Sequence, residues 1–291
     1  MDRLSIFDLG SLNENKKITA KFTKYEVDHR GGETIICALL EEGQLPEWQE
    51  GYGLDGQKLL LSLCNLYLKI ENADEWEACH HIIAWCKENS FPYCTQAINI
   101  PEYDYAQLQD KDRWEVLVNV LNGCEFKLEK ITADLKRLYE DTEILLHFYN
   151  VKNDLDSSRA LPKNKRVQEY ADIVSLTEMQ LLYRLDNFLS ELPKFPLELT
   201  LDDVGEMKIL PGFTSVFDAA YYALARFVAT QPEMPTKEDG GKTPLGICES
   251  CGKIFFKNGN RQKYCDDPEC KKERNRRKSR TAYLKKLKEQ K

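Results

Sequence analysis

The chain has 291 residues, enough for two folded units, and its 42% apolar residues, with 12 Phe, 14 Tyr and 4 Trp, exclude wholesale disorder. Its net charge of −7 conceals a partition: residues 241–291 carry 16 Lys and Arg against 6 Asp and Glu, a formal +10, whereas residues 1–240 carry 25 against 42, a formal −17. No apolar run reaches the ~18–20 residues of a membrane-spanning helix and MDRLSIFDLG lacks a basic-then-apolar leader, so the sequence reads as soluble and cytoplasmic with no membrane partner.

Residues 17–28 alternate, with Ile18, Ala20 and Phe22 on one face, and predict a half-buried strand. His29-Arg30-Gly31-Gly32 reads as a turn, and residues 33–42 as a partner strand or a short helix. Helical periodicity then dominates. Helices are predicted over 58–70 and 74–87, the second capped by Asn72 or Asp74 and striped by Trp76, Cys79, Ile83 and Cys86. Further helices are expected over 112–121 and 125–149, the latter with Ile131, Leu135, Leu138, Leu145 and Phe148 inward. Residues 150–165 read as a loop, 167–192 as a helix and 197–210 as a small hairpin around Val204-Gly205. A strongly apolar helix is predicted over 213–230, with Phe217, Tyr221, Leu224, Phe227 and Val228 as its buried face. Residues 231–242, with two prolines and Gly240-Gly241, read as a linker. The fold expected is mainly α: a mostly helical N-terminal domain over 1–230 with a small strand element, then a C-terminal module over 243–291.

The 10 cysteines fall into two groups. Cys37, Cys64, Cys79, Cys86, Cys94 and Cys124 are scattered, and most of them read as small buried hydrophobes rather than a disulfide framework. Cys79 and Cys86, beside His80 and His81, make a weak second metal candidate, because the two histidines project in different directions on a helix. Cys248, Cys251, Cys265 and Cys270 are different: they follow a C-x2-C-x13-C-x4-C pattern, and Gly252 permits a tight knuckle after the first pair. Four thiolates select zinc over hard cations, and a closed shell leaves no open position for catalysis.

Ile254, Phe255 and Phe256 read as a brief strand, Asn258-Gly259-Asn260 as a turn, and residues 261–264 as the return strand toward Cys265. Asp266 or Asp267 is expected to cap a helix with Pro268 and Cys270 in its first turn, where the positive helix end favours the anionic tetrathiolate. Knuckle, hairpin and ligand-bearing helix make a treble-clef-like zinc module whose folding is coupled to the metal. Residues 271–280 contain seven cations and one acid. Lys271, Lys272, Arg274, Arg276, Arg277, Lys278 and Arg280 are therefore candidate contacts to phosphates or bases, with Arg261 and Lys263 adding backbone contacts. Tyr283, Leu284 and Leu287 form a short apolar stripe, open to docking on the N-terminal domain, to a second copy in a homodimer, or to fraying.

Cys248-x2-Cys251-Gly252, Phe255, Arg261, Tyr264-Cys265, Cys270 and the Arg-rich run through Arg280 resemble the C-terminal zinc finger of bacterial CGNR-type proteins. The resemblance implies a stress-linked transcriptional regulator with a helical N-terminal domain of the kind called ABATE. The tetrad that names the family is replaced here by Cys270-Lys271-Lys272-Glu273, which keeps the ligand and changes the start of the DNA-binding helix. No Gly-rich phosphate loop, G-x-S-x-G or H-E-x-x-H occurs, His147 reads as a core or boundary histidine, and the chain is read as a non-enzyme. The expected function is nucleic-acid binding, DNA in preference to RNA. The rival is a protein-interaction adaptor whose zinc module meets a protein partner or the chain's own acidic body.

Overall fold

The computed structural model describes residues 19–39, 47–49, 56–93, 124–152, 178–194, 197–201, 207–211, 213–230, 245–257 and 262–289. These are mostly helical with short strands. The chain divides into two compact units, Met1–Tyr139 with Glu191–Arg226, and Glu140–Ser190 with Phe227–Lys291. The expected linker at 231–242, the helix at 112–121, the Val204-Gly205 turn, Cys94 and Arg261 lie outside the described residues.

In the first unit the single strand expected over 17–28 is two. β1 (Thr19–Lys21) pairs with β4 (Glu47–Gln49), Ala20 opposite Trp48. The break falls at Phe22, which is buried, and β2 (Lys24–Arg30) then pairs with β3 (Glu33–Leu39), Val27 opposite Ile36. The ambiguous segment after the turn is thus a strand. Only Gly31 and Gly32 turn the chain, at φ +62° and +84°, since a two-residue hairpin that matches strand twist needs left-handed backbone at both positions. β3 is central: its other edge takes β5 (Glu125–Lys127), Ile36 opposite Phe126. Ile35, Ile36 and Ala38 are buried on β3, whereas edge strand β2 buries only Tyr25.

α1 (Gly56–Ile70) buries Leu59, Leu60, Leu63, Cys64, Leu66, Tyr67 and Ile70, a helical stripe wide enough to face a core. α2 (Glu75–Glu88) starts at Asp74, whose Oδ1 accepts the Glu77 N–H at 2.9 Å, so Asp74 and not Asn72 is the cap. α2 packs on α1, with the Trp85 indole N–H donating to Ser62 Oγ at 3.1 Å. Its buried face comprises Ala78, Cys79, Ile82, Trp85 and Cys86. That corrects the expected stripe: at 100° per residue Trp76 lies about 120° from Ile82, is 68% exposed, and stacks on His80 with centroids 3.7 Å apart.

The helix expected from residue 125 begins three residues later, because Glu125–Lys127 are recruited by β3. α3 (Leu128–Lys152) buries Ile131, Leu135, Leu138 and Leu145 as predicted. α4 (Glu178–Glu191) is the described part of the helix expected over 167–192. β6 (Leu197–Leu201) and β7 (Met207–Pro211) form the expected hairpin, Leu199 opposite Ile209. α5 (Val216–Thr230) is capped reciprocally: Ser215 Oγ accepts the Asp218 N–H at 3.2 Å, and Asp218 Oδ2 accepts the Thr214 N–H at 2.7 Å. Phe217, Tyr221 and Leu224 are buried as expected.

An aromatic chain joins β2, the segment 91–93, β5 and the start of α5. Tyr25 meets Phe22, Phe22 meets Phe91, Phe91 meets Phe126, Phe126 meets Tyr93 and Tyr93 meets Phe217, all with centroids 5.4–6.2 Å apart. Edge and tilted contacts at this spacing add to the burial energy of each ring. Tyr93 is fixed further by its hydroxyl, which donates to Asp134 Oδ2 on α3 at 2.7 Å. Among the described residues no helix is long and apolar enough to cross a membrane.

Candidate metal centre and basic helix

In the second unit β8 (Leu245–Ile247) pairs with β9 (Ile254–Phe256), Gly246 opposite Phe255. The first cysteine knuckle is the turn of this hairpin. Cys248 N–H donates to Lys253 O and Gly252 N–H to Cys248 O, both at 2.9 Å, and Gly252 sits at φ +76°. This corrects the expected return strand at 261–264. β9 finds its partner upstream because the knuckle already reverses the chain, and Leu245, Cys248 and Ile254 are buried while the rest of the turn is not. Of the segment read as the return strand, residues 262–264 are described and are not strand, and a bond from Glu249 N–H to Lys263 O at 3.0 Å ties this segment to the knuckle.

Lys257 leaves β9 with its side chain buried, and its stem runs over Gly246. A Cβ at Gly246 would overlap Lys257 Cε and lie 3.0 Å from Cγ and 3.2 Å from Cδ. Gly246→Val is therefore expected to destabilise the module by about 1–3 kcal/mol through overpacking. Denaturant unfolding of the variant measures this, and adding Lys257→Ala should recover most of the loss. An unchanged midpoint in Gly246→Val would show that the lysine stem moves freely.

α6 (Pro268–Glu289) starts at Asp267, whose Oδ1 accepts the Glu269 N–H at 2.8 Å and the Cys270 N–H at 3.4 Å. Asp267 rather than Asp266 is the cap, and Pro268 occupies the first helical position, where no N–H is needed. Cys270 thereby enters the cluster from the first turn of a helix.

The structure brings the four predicted cysteines together, with all four sulfurs within 4.8 Å of one another. Cys251 Sγ and Cys265 Sγ are 3.8 Å apart. A tetrahedron with metal–sulfur bonds of ~2.3 Å has edges of about 3.8 Å, so the donor set matches a four-coordinate ion in spacing as well as in chemistry. Cys248, Cys265 and Cys270 are buried with Phe255, and Tyr264 packs against them. Cys251 is the outermost of the four. Among the described residues this is the one group of cysteine, histidine and carboxylate side chains placed to hold a metal. Cys79 and Cys86 instead face the core while His80 and His81 are exposed, so that weak candidate does not assemble.

The backbone prepares the cluster for negative charge. Burial pushes the Cys248 thiol up, yet N–H groups of Cys265, Cys251 and Ser250, with the Cys251 thiol, outweigh it and bring Cys248 down to about 7. Cys251 moves the other way: desolvation of its sulfur raises it, the Cys270 and Cys248 sulfurs add to this, and the Lys253 N–H only partly opposes them. Cys265 is pushed up to about 11, by burial and then by the Cys248 and Cys270 sulfurs, against the Asp267 N–H. One thiolate forms readily, and its charge keeps protons on its neighbours.

The cationic candidates lie on α6 or beside it. Lys271, Lys272, Arg274, Arg276, Arg277, Lys278 and Arg280 are all exposed except for partial covering by ion pairs. Glu273, the one acid within residues 271–280, takes Arg276 Nε and Arg277 Nε, each at 2.9 Å. Lys271 pairs with Asp266 at 3.2 Å, Lys272 with Glu269 at 2.6 Å and Lys263 with Glu249 at 3.6 Å. Among the described residues Arg274, Lys278 and Arg280 have no acidic partner. Spacing alone makes the Glu273 pairs readable, at i+3 and i+4, whereas the Lys263 pair depends on how the loop meets the knuckle. No family model matches this chain, and no match to it is found among curated proteins or solved structures.

Proposed function

We propose that this chain is a zinc-dependent nucleic-acid-binding protein, a DNA-binding transcriptional regulator of CGNR-like type. In this reading its N-terminal region senses a signal or dimerises. The observation that carries it is the junction at Cys270: a closed four-sulfur cluster ends inside the first turn of a 22-residue helix whose next ten residues hold seven cations. Four cysteine sulfurs with no hard oxygen donor favour zinc, and the knuckle, hairpin and ligand-bearing helix suit a treble-clef-like structural site rather than a catalytic one. A rod of this length, about 33 Å at 1.5 Å per residue, fits along a major groove, and its arginines suit guanine edges and phosphates alike.

Titration of the full chain onto duplex DNA and RNA at rising salt tests the reading. Each phosphate neutralised contributes a slope of about −0.9 in log affinity against log salt, or roughly eightfold at 0.1 M relative to 1 M. The triple change Arg274→Ala, Lys278→Ala and Arg280→Ala is therefore expected to weaken DNA binding about 500-fold at 0.1 M salt, with zinc content unchanged. Absence of binding by the unaltered chain at about 50 mM salt would overturn the proposal in favour of an adaptor that meets a protein.

A further inference from the structure

Seven cations crowd ten positions of α6, but they do not share one environment. At 100° per residue, Lys271, Arg274 and Lys278 fall within about 60° of one another, and Arg277 lies about a quarter turn from the middle of that arc. Arg277 Nε donates to Glu273 Oε1 at 2.9 Å. The same guanidinium stands 6.0 Å from the centre of the Tyr264 ring, at the outer reach of a cation–π contact. Tyr264 in turn packs against the buried group of Cys248, Phe255, Cys265 and Cys270. Glu273 is the least exposed member of the set, its side chain 24% accessible against 52% for Arg277. Arg277 Nε and the Glu273 carboxylate therefore close a chain that runs from the cysteine cluster through Tyr264 onto the helix, seven residues or about 10 Å beyond Cys270.

From this geometry we infer that Arg277 is a positioning residue: with Glu273 and Tyr264 it braces α6 against the metal module, and it leaves phosphate contact to the free face of Arg274 and Lys278. The inference rests on the nucleic-acid reading above and narrows it. A helix fixed at its first turn alone can swing about that point. A second attachment one and a half to two turns further sets the direction in which the free cations project.

Contact and brace separate in the salt slope. In the full chain, Arg274→Ala and Lys278→Ala are each expected to make the slope of log affinity against log salt about 0.9 less negative. Arg277→Ala should leave the slope unchanged while lowering affinity at every salt concentration by a few fold. Amide hydrogen exchange of the DNA-free protein supplies the second readout: Arg277→Ala should speed exchange along residues 274–283, whereas Arg274→Ala and Lys278→Ala should not. Arg277→Gln keeps an N–H donor for Glu273 without the charge. It loses the cation over the Tyr264 ring, so it should exchange as fast as Arg277→Ala yet keep the unaltered slope, which a contact residue could not do. A slope change of about 0.9 in both Arg277 variants overturns the inference, as does unaltered exchange in Arg277→Ala. If the unaltered chain shows no salt-dependent binding, the nucleic-acid reading fails, and the contact half of the inference fails with it. The exchange comparison then decides the brace by itself.

Discussion

Cys265→Ser is expected to reduce bound zinc from about one per chain to near zero after dialysis and to unfold residues 245–289, leaving the first unit folded. The reason lies in what the module buries. Its buried group around the sulfurs is Cys248, Phe255, Cys265 and Cys270, with Tyr264 packed against it, so three of the four members are candidate ligands. Leu245 and Ile254 add two further apolar side chains, worth roughly 1.5–3 kcal/mol each when fully buried. That is far below the entropy of ordering a module of this size, whereas a structural zinc site supplies roughly 10–16 kcal/mol. Removing one of four sulfurs withdraws most of what holds the module folded and leaves a charged, underfilled cluster. Metal analysis beside limited proteolysis measures the result. Cys86→Ser, at a buried cysteine of the first unit, serves as the control and should keep its zinc. Retention of a full zinc equivalent by Cys265→Ser would mean that the ligand set is wrong.

The four-cysteine cluster was the most legible part of this chain because its information is local. Two pairs of cysteines, a glycine after the second and an aspartate–proline before the fourth dictate a knuckle and a helix start within short spans. The Gly31-Gly32 hairpin was legible for the same reason, since a two-residue turn with both residues left-handed admits few sequences. Strand partners were not. β9 pairs upstream with β8 rather than with residues 262–264, and residues 125–127 pair with β3 rather than opening α3; each outcome depends on a neighbour that periodicity within the segment does not contain. Trp76 fails for a related reason. An i, i+3, i+7 stripe can be drawn through it, but the core of the first unit receives α2 through Ile82 and Trp85, and a neighbouring stripe loses.

Function inherits the same division. That α6 is basic can be read from composition, but which cations are available cannot. Glu273, Glu269 and Asp266 withdraw several of them into ion pairs, and exposed pairs of this kind are worth little energetically. Their effect is directional: they occupy some donors and leave Arg274, Lys278 and Arg280 without an acidic partner among the described residues, the cations that the proposed reading assigns to a polyanion. The acidic remainder of the chain, at −17, makes that availability testable, because low salt strengthens any attraction of the helix to acidic surface as well as to phosphate.

Zinc affinity is expected to rise by at least about 100-fold per pH unit near neutrality, and so by at least about 10⁴ between pH 6 and pH 8. The sign follows from the free cluster. Zinc takes thiolates, so each sulfur that is protonated beforehand must release its proton, and each released proton makes affinity tenfold stronger per unit of rising pH. Cys265, pushed up to about 11, and Cys251, raised by desolvation and by the neighbouring sulfurs, both carry protons across this range. They account for two protons and the 100-fold slope. Cys248, near 7, adds most of a third proton below that value and little above it, so the dependence should steepen toward acid. Competition against a chelator of known pH behaviour at pH 6, 7 and 8 measures the slope, and calorimetry in buffers of different ionisation heat counts the protons. A slope shallower than tenfold per unit would mean that Cys251 and Cys265 are already ionised or are not ligands. On the proposed nucleic-acid reading, α6 is directed from Cys270, so the same acid range should weaken DNA binding in step with zinc loss, and excess zinc at pH 6 should restore both together.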